Sequence, residues 1–187
     1  MGTRIQEITP AFQEFIQDQK MFFVGTAAKD GRINVSPKGM DSLRVVSPNK
    51  ILWLNLTGSG NETATHVQDN GRMTIMWCAF EGKPLILRVY GKAKSYHETD
   101  PEWGQLIEHF PNWSGKRQVF ELEVDLVQSS CGFAVPFFDY SGERDILEKW
   151  ADKQGEDRIR NYWKEKNTVS LDGKDTGMDK VLQEKGA

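Results

Sequence analysis

The chain has 187 residues, 38% of them hydrophobic, and a formal net charge of −3. This length and apolar content suffice for one domain with its own core. The weakly acidic balance disfavours nucleic-acid binding, which needs a basic patch, and no segment approaches the roughly 20 apolar residues of a membrane span. Since the N-terminal segment lacks the apolar core of a signal peptide, we expect a cytoplasmic protein with reduced thiols at Cys78 and Cys131.

The first helix is predicted from its start signal. Thr9 is a typical cap residue and Pro10 a typical first helical residue, and apolar residues follow at helical spacing: Phe12, Phe15 and Ile16. The chain then changes to short apolar or alternating runs that are separated by turn signals such as Asp30-Gly31. These patterns predict a helix over residues 9–19 and strands over 21–28, 32–36, 43–47 and 51–56.

The middle of the chain continues with strands and short helices. A helix from Thr63 to Asn70 is expected to end at Gly71, a residue type favoured just past a helix end. Asp100 and Pro101 are typical of another helix start. The apolar periodicity predicts strands over 73–80, 85–96 and 118–128, a hairpin turn over 81–84, and helices over 100–110 and 144–166.

These elements predict a mainly β protein with flanking helices. Strands at hairpin spacing favour an antiparallel barrel with helices over its ends, because closure removes exposed strand edges. We expect one domain over residues 1–166, followed by a polar and mobile tail over residues 167–187.

Signals of direct catalysis by side chains are missing from the sequence. The histidines, His66, His97 and His109, are scattered, and no pair has the spacing of metal ligands. Because no nucleophile motif, phosphate-binding loop or dinucleotide fingerprint is present, no catalytic residue is assigned and no metal is expected.

The segment LTGSGNETATHV, which follows a predicted strand, is the most informative one. Its glycines allow a tight turn, and Asn61 is placed to cap the helix that follows. A helix start with free N–H groups and small hydroxyls attracts phosphate. The alternative is an ordinary capped turn.

The segment INVSPKG has two features. Pro37 cannot donate to a sheet ladder, so it marks an edge, an end or a bulge of the strand. This leaves local backbone free for another partner, to which Lys38 adds a cation. The alternative is a plain strand end with a solvated lysine.

These segments, together with ILWLNLTGSGNETATHVQDNGRMTIMW and LILRVYGKAKSY, resemble the pyridoxamine 5'-phosphate oxidase-related flavoproteins. The likeness runs from about Met21 to Tyr96 and continues through SCGFAVP to GERD, so it covers more than half of the chain. The resemblance implies an antiparallel split β-barrel that forms a homodimer and binds FMN at the dimer interface. It also implies the cofactor-binding residues, which are Val35, Ser36, Pro37, Lys38, Asn55, Thr57, Ser59, Asn61 and Thr63.

The sequence departs from the family pattern at the helix start. Family members commonly carry Arg and Lys where Asn61, Glu62 and Thr63 stand here, and the substrate-gripping residues of the true oxidase have no match. We therefore expect Ser59, Asn61 and Thr63 to hold the phosphate of FMN without a cation at the helix start, with Glu62 pointing away.

The resulting hypothesis is an FMN-dependent oxidoreductase that acts on a small-molecule substrate. Because a flavin carries out the redox chemistry itself, such an enzyme needs no acid or base that is visible in sequence. The alternatives are a non-enzymatic flavin or haem binding protein, the latter with a histidine as axial ligand, and a deazaflavin-dependent reductase.

Overall fold

The computed structural model of the chain describes residues 2–185, with the side chain of Lys185 left out, so the last two residues of the predicted tail lie outside the described residues. Its strands in chain order are β1 (Arg4–Ile5), β2 (Phe22–Thr26), β3 (Asn34–Lys38), β4 (Leu43–Ser47), β5 (Lys50–Leu56), β6 (Arg72–Cys78), β7 (Ile86–Tyr96) and β8 (Lys116–Ser130). The helices are α1 (Pro10–Asp18), α2 (Glu62–Asn70), α3 (Trp103–Ile107), α4 (Ile146–Lys166) and α5 (Met178–Lys185).

The strands form one antiparallel sheet in the order β3-β2-β6-β7-β8-β5-β4, with β1 paired to β8. The prediction of a mainly antiparallel fold with flanking helices is confirmed. Full closure, which the strand spacing favoured, is not what forms: the order ends at β3 on one side and at β4 on the other. In this order β3 and β4 each have one edge without a neighbouring strand. Such an opening in the sheet distinguishes a split barrel from a closed one.

The helix signals succeed where they are local. Thr9 accepts a hydrogen bond from the Phe12 N–H at 3.3 Å and caps α1. Gly71 takes a left-handed conformation with φ 70° and ends α2, as predicted. The helix predicted over 100–110 is shorter, because Asp100 accepts from the His97 N–H instead of capping the helix.

The strands β5 and β8 are covered on both faces, so their buried residues run consecutively, over 51–55 and 117–120. On one face the rings of Trp53 and Phe120 stack at 5.0 Å within the main core. On the other face a second apolar cluster is formed by four buried side chains, which are Leu52, Leu54, Phe110 and Val119. Trp103, Leu106 and Ile107 of α3 pack against it.

Residues 167–185 differ from the predicted mobile tail. Asn167, Thr176 and Met178 are each 0% exposed. In α5, Met178 and Val181 pack against buried side chains of α4, which are Ala151, Ile159 and Trp163. The polar composition suggested a solvated segment, but hydrogen bonds satisfy the polar groups that this segment buries. Within residues 2–185, every helix is too short or too polar to cross a membrane.

Candidate functional site

The strand β3 lies at the edge of the sheet with β2 as its partner, and Pro37 faces Phe23 in this pairing. Its side chains alternate. Val35 is 64% exposed and Pro37 is also exposed, while the other predicted residues of this strand, Ser36 and Lys38, are half-buried. Only one face of β3 therefore turns toward the rest of the chain, and it is the face with Ser36 and Lys38.

Lys38 is the unusual side chain of this face. Its Nζ lies 5.3 Å from the ring centroid of Trp53 in a cation–π contact. Burial, together with the positive charge of Arg117, lowers the pKa of Lys38 to about 8, against the opposing effect of Glu62. Lys38 thus belongs to an internal charged group that spans β3, α2 and β8.

The end of β5 and the loop after it are firmly held. Asn55 and Thr57 are both buried. The Thr57 hydroxyl donates to the Gly115 carbonyl at 2.8 Å and accepts from Trp163 Nε1 at 2.8 Å. Thr57 therefore ties this loop to α4, while Ser59 in the middle of the loop is exposed.

The side chain at the start of α2 turns inward. Asn61 Oδ1 accepts from Gln118 Nε2 at 2.9 Å, and Asn61 Nδ2 donates to the Asn167 carbonyl at 3.4 Å. The expected role of Asn61 as a side-chain cap is therefore wrong, because both of its polar groups bond to residues far away in sequence.

Thr63, in the first turn of α2, connects the two predicted segments. Its Oγ1 accepts from Asn34 Nδ2 at 3.2 Å. Since Asn34 begins β3, this bond brings the edge strand beside the helix start. The sequence predicted both segments separately, and the fold places them in contact.

A cleft of about 320 Å³ opens where these segments meet, and we call it the β3–α2 cleft. This volume is at the lower end for small-molecule sites. Its lining residues are Arg32, Ile33, Asn34, Ser59, Gly60, Glu62, Leu171 and Asp172. Among the predicted site residues, Ser59 lines it directly. Val35, Ser36, Pro37 and Lys38 follow its lining residue Asn34 in β3, Thr57, Asn61 and Thr63 lie in the loop after β5 and the start of α2, and Asn55 lies in β5, outside the lining.

The sequence predicted that Glu62 points away from the phosphate site, but in the structure Glu62 lines the cleft. A Cβ on Gly60 would lie 2.9 Å from Glu62 Oε1, so the carboxylate lies over the loop. Glu62 Oε1 also accepts from the Leu171 N–H at 3.3 Å. The predicted orientation of Glu62 is therefore wrong. The physical reason is the hydrogen bond from the N–H of Leu171, a residue distant in sequence, which holds the carboxylate over the loop.

Sequence reasoning missed three residues around the cleft: Arg117, Asn167 and Asp172. Arg117 is 3% exposed, and its Nη1 donates to Asn167 Oδ1 at 2.8 Å and to the Gly58 carbonyl at 3.4 Å. Burial lowers the pKa of Arg117 to about 10, with Glu62 opposing the shift. Within the described chain, Arg117 Nε has no hydrogen-bond partner. The sequence signal for Arg117 is a charged residue at the start of a strand, and a charged residue in that position is usually exposed to solvent.

Asp172 reaches the cleft from the C-terminal part of the chain. Its carboxylate accepts from the Arg32 N–H at 2.7 Å and forms an ion pair with the Arg32 guanidinium. The hydrogen bond from the Arg32 N–H, followed by that from the Arg32 side chain, lowers the pKa of Asp172. The cleft therefore holds two carboxylates, Glu62 and Asp172, and one guanidinium.

A second cleft, of about 500 Å³, lies over β2, β6 and β7 and is lined by a different set of residues: Gly25, Thr26, Ala27, Ile33, Arg72, Met73, Thr74, Tyr90, Gly91, Lys92 and Asp125. Within residues 2–185, neither cleft has a histidine in its lining. His66 is buried and bonded to Thr26, His97 is buried, and His109 is exposed. No group of three or more potential metal-ligating side chains forms in this part of the chain.

An open antiparallel sheet with an edge strand beside a glycine-rich helix start defines a class of small split-barrel proteins with a cleft at the sheet edge. The chain belongs to the pyridoxamine 5'-phosphate oxidase family, whose family model matches residues 8–131. A pyridoxamine 5'-phosphate oxidase family protein of Aspergillus flavus, ustO, is 35% identical over 95% of this chain and 81% of its own length.

Solved structures support the split-barrel prediction. A variant of HupZ from Group A Streptococcus aligns with a TM-score of 0.52 and 20% identity, over 66% of this chain and 99% of its own. A candidate pyridoxamine 5'-phosphate oxidase from Lactobacillus delbrueckii aligns with a TM-score of 0.50 and 18% identity, over 66% and 98%. At these identities the likeness shows the fold, and the predicted fold class is confirmed.

Proposed function

We propose that this chain is a flavin-binding oxidoreductase that holds its flavin at the β3–α2 cleft and acts on a small molecule. The observation that carries the proposal is the contact between the edge strand and the helix start, made by the Asn34–Thr63 hydrogen bond. The family resemblance predicted these two segments as the cofactor site, and they form the walls of one cleft.

The residues at the cleft fit one part of FMN, the flavin that the resemblance implies. Neutral hydrogen-bonding groups of Asn34 and Ser59 line the cleft and can serve the ring and the ribityl chain. Ser36 and the amine of Lys38 lie further along β3, on its half-buried face. The phosphate does not fit equally well, because Asn61 is bonded inward and Glu62 lies over the loop. When bound, a flavin supplies hydride-transfer chemistry, and the protein binds and orients it.

Lys38 provides the sharpest test of the placement. Replacing it in the variant Lys38→Met removes a half-buried amine and keeps most of its apolar length. Hydrogen bonds to charged groups contribute about 1.5–3 kcal/mol, so flavin binding should weaken by roughly 10- to 100-fold. Fluorescence titration with FMN and with riboflavin measures this change. The matched control is Lys83→Met, in an exposed turn, which should bind like the parent protein.

The visible spectrum of the purified protein separates the proposal from its alternatives. Flavin bands support the proposal, and a Soret band would support haem binding instead. A deazaflavin that binds where FMN and riboflavin do not would point to the deazaflavin reductase. A colourless protein that ignores added flavin would contradict the proposal.

We also propose that the chain functions as a homodimer. Residues 131–145 carry large side chains on the surface, among them Phe133 and Phe137 at 82% and 80% exposure, and Val35 is exposed on the edge strand. Large apolar side chains exposed in this way are typical of interaction sites, and a symmetric dimer is the commonest way to cover them. We expect an interface above about 2,000 Å², typical of permanent dimers.

Light scattering at micromolar concentration tests the homodimer. The parent protein should have the mass of two chains, and Phe137→Asp should shift it toward one. The control Val169→Asp, at an exposed apolar residue outside residues 131–145 and outside the lining of the β3–α2 cleft, should remain dimeric. A monomeric parent protein would contradict the proposal.

A further inference from the structure

A small hairpin from the C-terminal part of the chain covers the start of α2. Residues 168–176 form it, and we call it the C-terminal hairpin. Val169 and Asp175 pair as an antiparallel bridge, and the Ser170 N–H donates to the Lys174 carbonyl at 2.8 Å. Its tip, at Leu171 and Asp172, forms part of the lining of the β3–α2 cleft.

The hairpin brings negative charge to the place where a phosphate would be expected. The Asp172 carboxylate binds the Arg32 N–H and guanidinium, and Glu62 accepts from the Leu171 N–H. A carboxylate in the first turn of a helix interacts favourably with the helix dipole. Glu62 therefore provides the negative charge that the start of α2 would otherwise attract from a ligand.

The cations near the cleft already have partners within the chain. Arg32 pairs with Asp172, and Lys174 pairs with Asp30. Arg117 is buried beneath the loop, where Asn167, which directly precedes the hairpin, accepts from it. The lining of the cleft thus offers a phosphate two carboxylates and one guanidinium, and that guanidinium is already paired with Asp172.

The hairpin is firmly attached on both sides. At its end Thr176 is fully buried, and its carbonyl accepts from Gln68 Nε2 at 2.6 Å. Thr65 Oγ1 donates to the Asp175 carbonyl at 3.0 Å. Both donors belong to α2, so displacing the hairpin would break several buried contacts of that helix. The arrangement is therefore a built part of the site.

We infer that Glu62 and Asp172 occupy the phosphate position of the site, so that the cleft selects a flavin whose ribityl end is uncharged, namely riboflavin, over FMN. The inference rests on the proposed flavin function and deepens it. Hydroxyl groups of a polyol chain can donate to carboxylates, whereas a phosphate dianion is repelled by them. Glu62 and Asp172 are thus specificity-determining residues of this chain.

Fluorescence titrations of the full-length protein with riboflavin and FMN test the inference. We expect the parent protein to bind riboflavin about 10-fold more tightly than FMN. In the double variant Glu62→Gln, Asp172→Asn, FMN binding should tighten by about 10-fold or more, and riboflavin binding should change by less than about 3-fold. The control Asp69→Asn removes a carboxylate of α2 outside the cleft and should keep the parent's preference.

A parent protein that binds FMN as tightly as riboflavin, or more tightly, would overturn the inference. So would a double variant whose preference is unchanged while its melting temperature remains close to that of the parent protein.

A second measurement separates this inference from the proposed function. Inorganic phosphate should raise the melting temperature of the double variant and not that of the parent protein. If neither flavin binds but this difference is found, the flavin function is wrong and the exclusion of phosphate by the two carboxylates stands. If phosphate stabilises both proteins equally, or neither, the carboxylates do not control anion binding and the inference is wrong.

Discussion

The helices α1 and α2 start with similar sequence signals and are capped in different ways. Before α1, the Thr9 hydroxyl accepts from the Phe12 N–H, as a cap residue does. Before α2, the Asn61 side chain bonds instead to Gln118 and Asn167. A residue with good capping chemistry therefore gives up its local role when a buried polar network uses the same atoms.

The loss of a side-chain cap at α2 is offset with help from residues distant in sequence. Glu62, the first residue of α2, supplies a negative charge at the helix start, and the N–H of Leu171 holds its carboxylate in place. The start of α1 therefore depends on its own few residues, and the start of α2 depends on the C-terminal hairpin. This contrast can be tested by removing each support in turn.

Removing residues 167–187 should have the largest effect. Met178 is fully buried, and loss of one buried methionine side chain typically costs about 2–5 kcal/mol. The truncation also removes the Asn167 acceptor from the buried Arg117 guanidinium. We expect the free energy of unfolding to fall by at least about 3 kcal/mol, measured by chemical denaturation.

Single substitutions keep the test valid if the truncated chain does not fold. Met178→Ala should lose about 2–5 kcal/mol, whereas Leu171→Ala, at an exposed position of the hairpin, should stay within about 0.5 kcal/mol of the parent. A truncated protein as stable as the full chain would show that the C-terminal segment is an unattached tail, as its composition suggested.

The substitution Asn61→Ala should have the second largest effect. It leaves the buried Gln118 Nε2 without its acceptor and removes the bond to the Asn167 carbonyl. An unsatisfied buried polar group costs about 1–3 kcal/mol, so we expect a loss of about 2–3 kcal/mol in chemical denaturation. Asn61→Asp keeps the acceptor and should recover part of the loss. An effect no larger than that of a surface substitution would show that the buried network is weak.

The corresponding substitution at α1, Thr9→Ala, should cost less. It removes one partly buried hydrogen bond, and loss of a capping side chain costs typically about 1 kcal/mol. Thr9→Ser keeps the hydroxyl and should remain close to the parent protein. If Thr9→Ala were more damaging than Asn61→Ala in the same denaturation experiment, the local cap of α1 would contribute more to stability than the buried network at α2, and the prediction would be wrong.

The features of the fold that depend on short stretches of sequence could be predicted. The cap at Thr9, the end of α2 at Gly71 and the two segments that form the cleft walls all follow from short-range signals or from the family resemblance. The C-terminal hairpin could not be predicted in this way. Its contacts join Asn167 to Gly58 and Asp172 to Arg32 across more than a hundred residues. The buried groups of the hairpin and of the preceding Asn167 include polar ones, such as Ser170 and Thr176, and hydrophobic periodicity cannot detect polar side chains that hydrogen bonds satisfy.

The smallest predicted effect is a pH dependence that belongs to α2. His66 lies in this helix, is buried, and its Nδ1 is 3.0 Å from Thr26 Oγ1 in a hydrogen bond. Burial lowers the pKa of His66. A hydrogen bond with the Thr26 backbone and the charges of Glu62 and Asp172 oppose this shift, and Lys174 adds to it.

In the unfolded chain His66 has a pKa of about 6.5, which is higher than in the folded chain, so the unfolded state takes up the proton first. The contribution of His66 to stability is fully present above about pH 6.5 and is lost as the pH falls from there toward the lower, folded pKa. Buried His97 acts in the same direction, because burial also lowers its pKa.

We therefore expect the parent protein to lose stability between about pH 7.5 and 5.5. The variant His66→Gln should lose less over the same range, by under about 1 kcal/mol, because His97 remains. Thr9→Ala is the matched control: it weakens α1, which carries no histidine, and should keep the parent's pH slope in denaturation experiments. An unchanged slope in His66→Gln would mean that the attachment of α2 to β2 does not depend on a neutral His66.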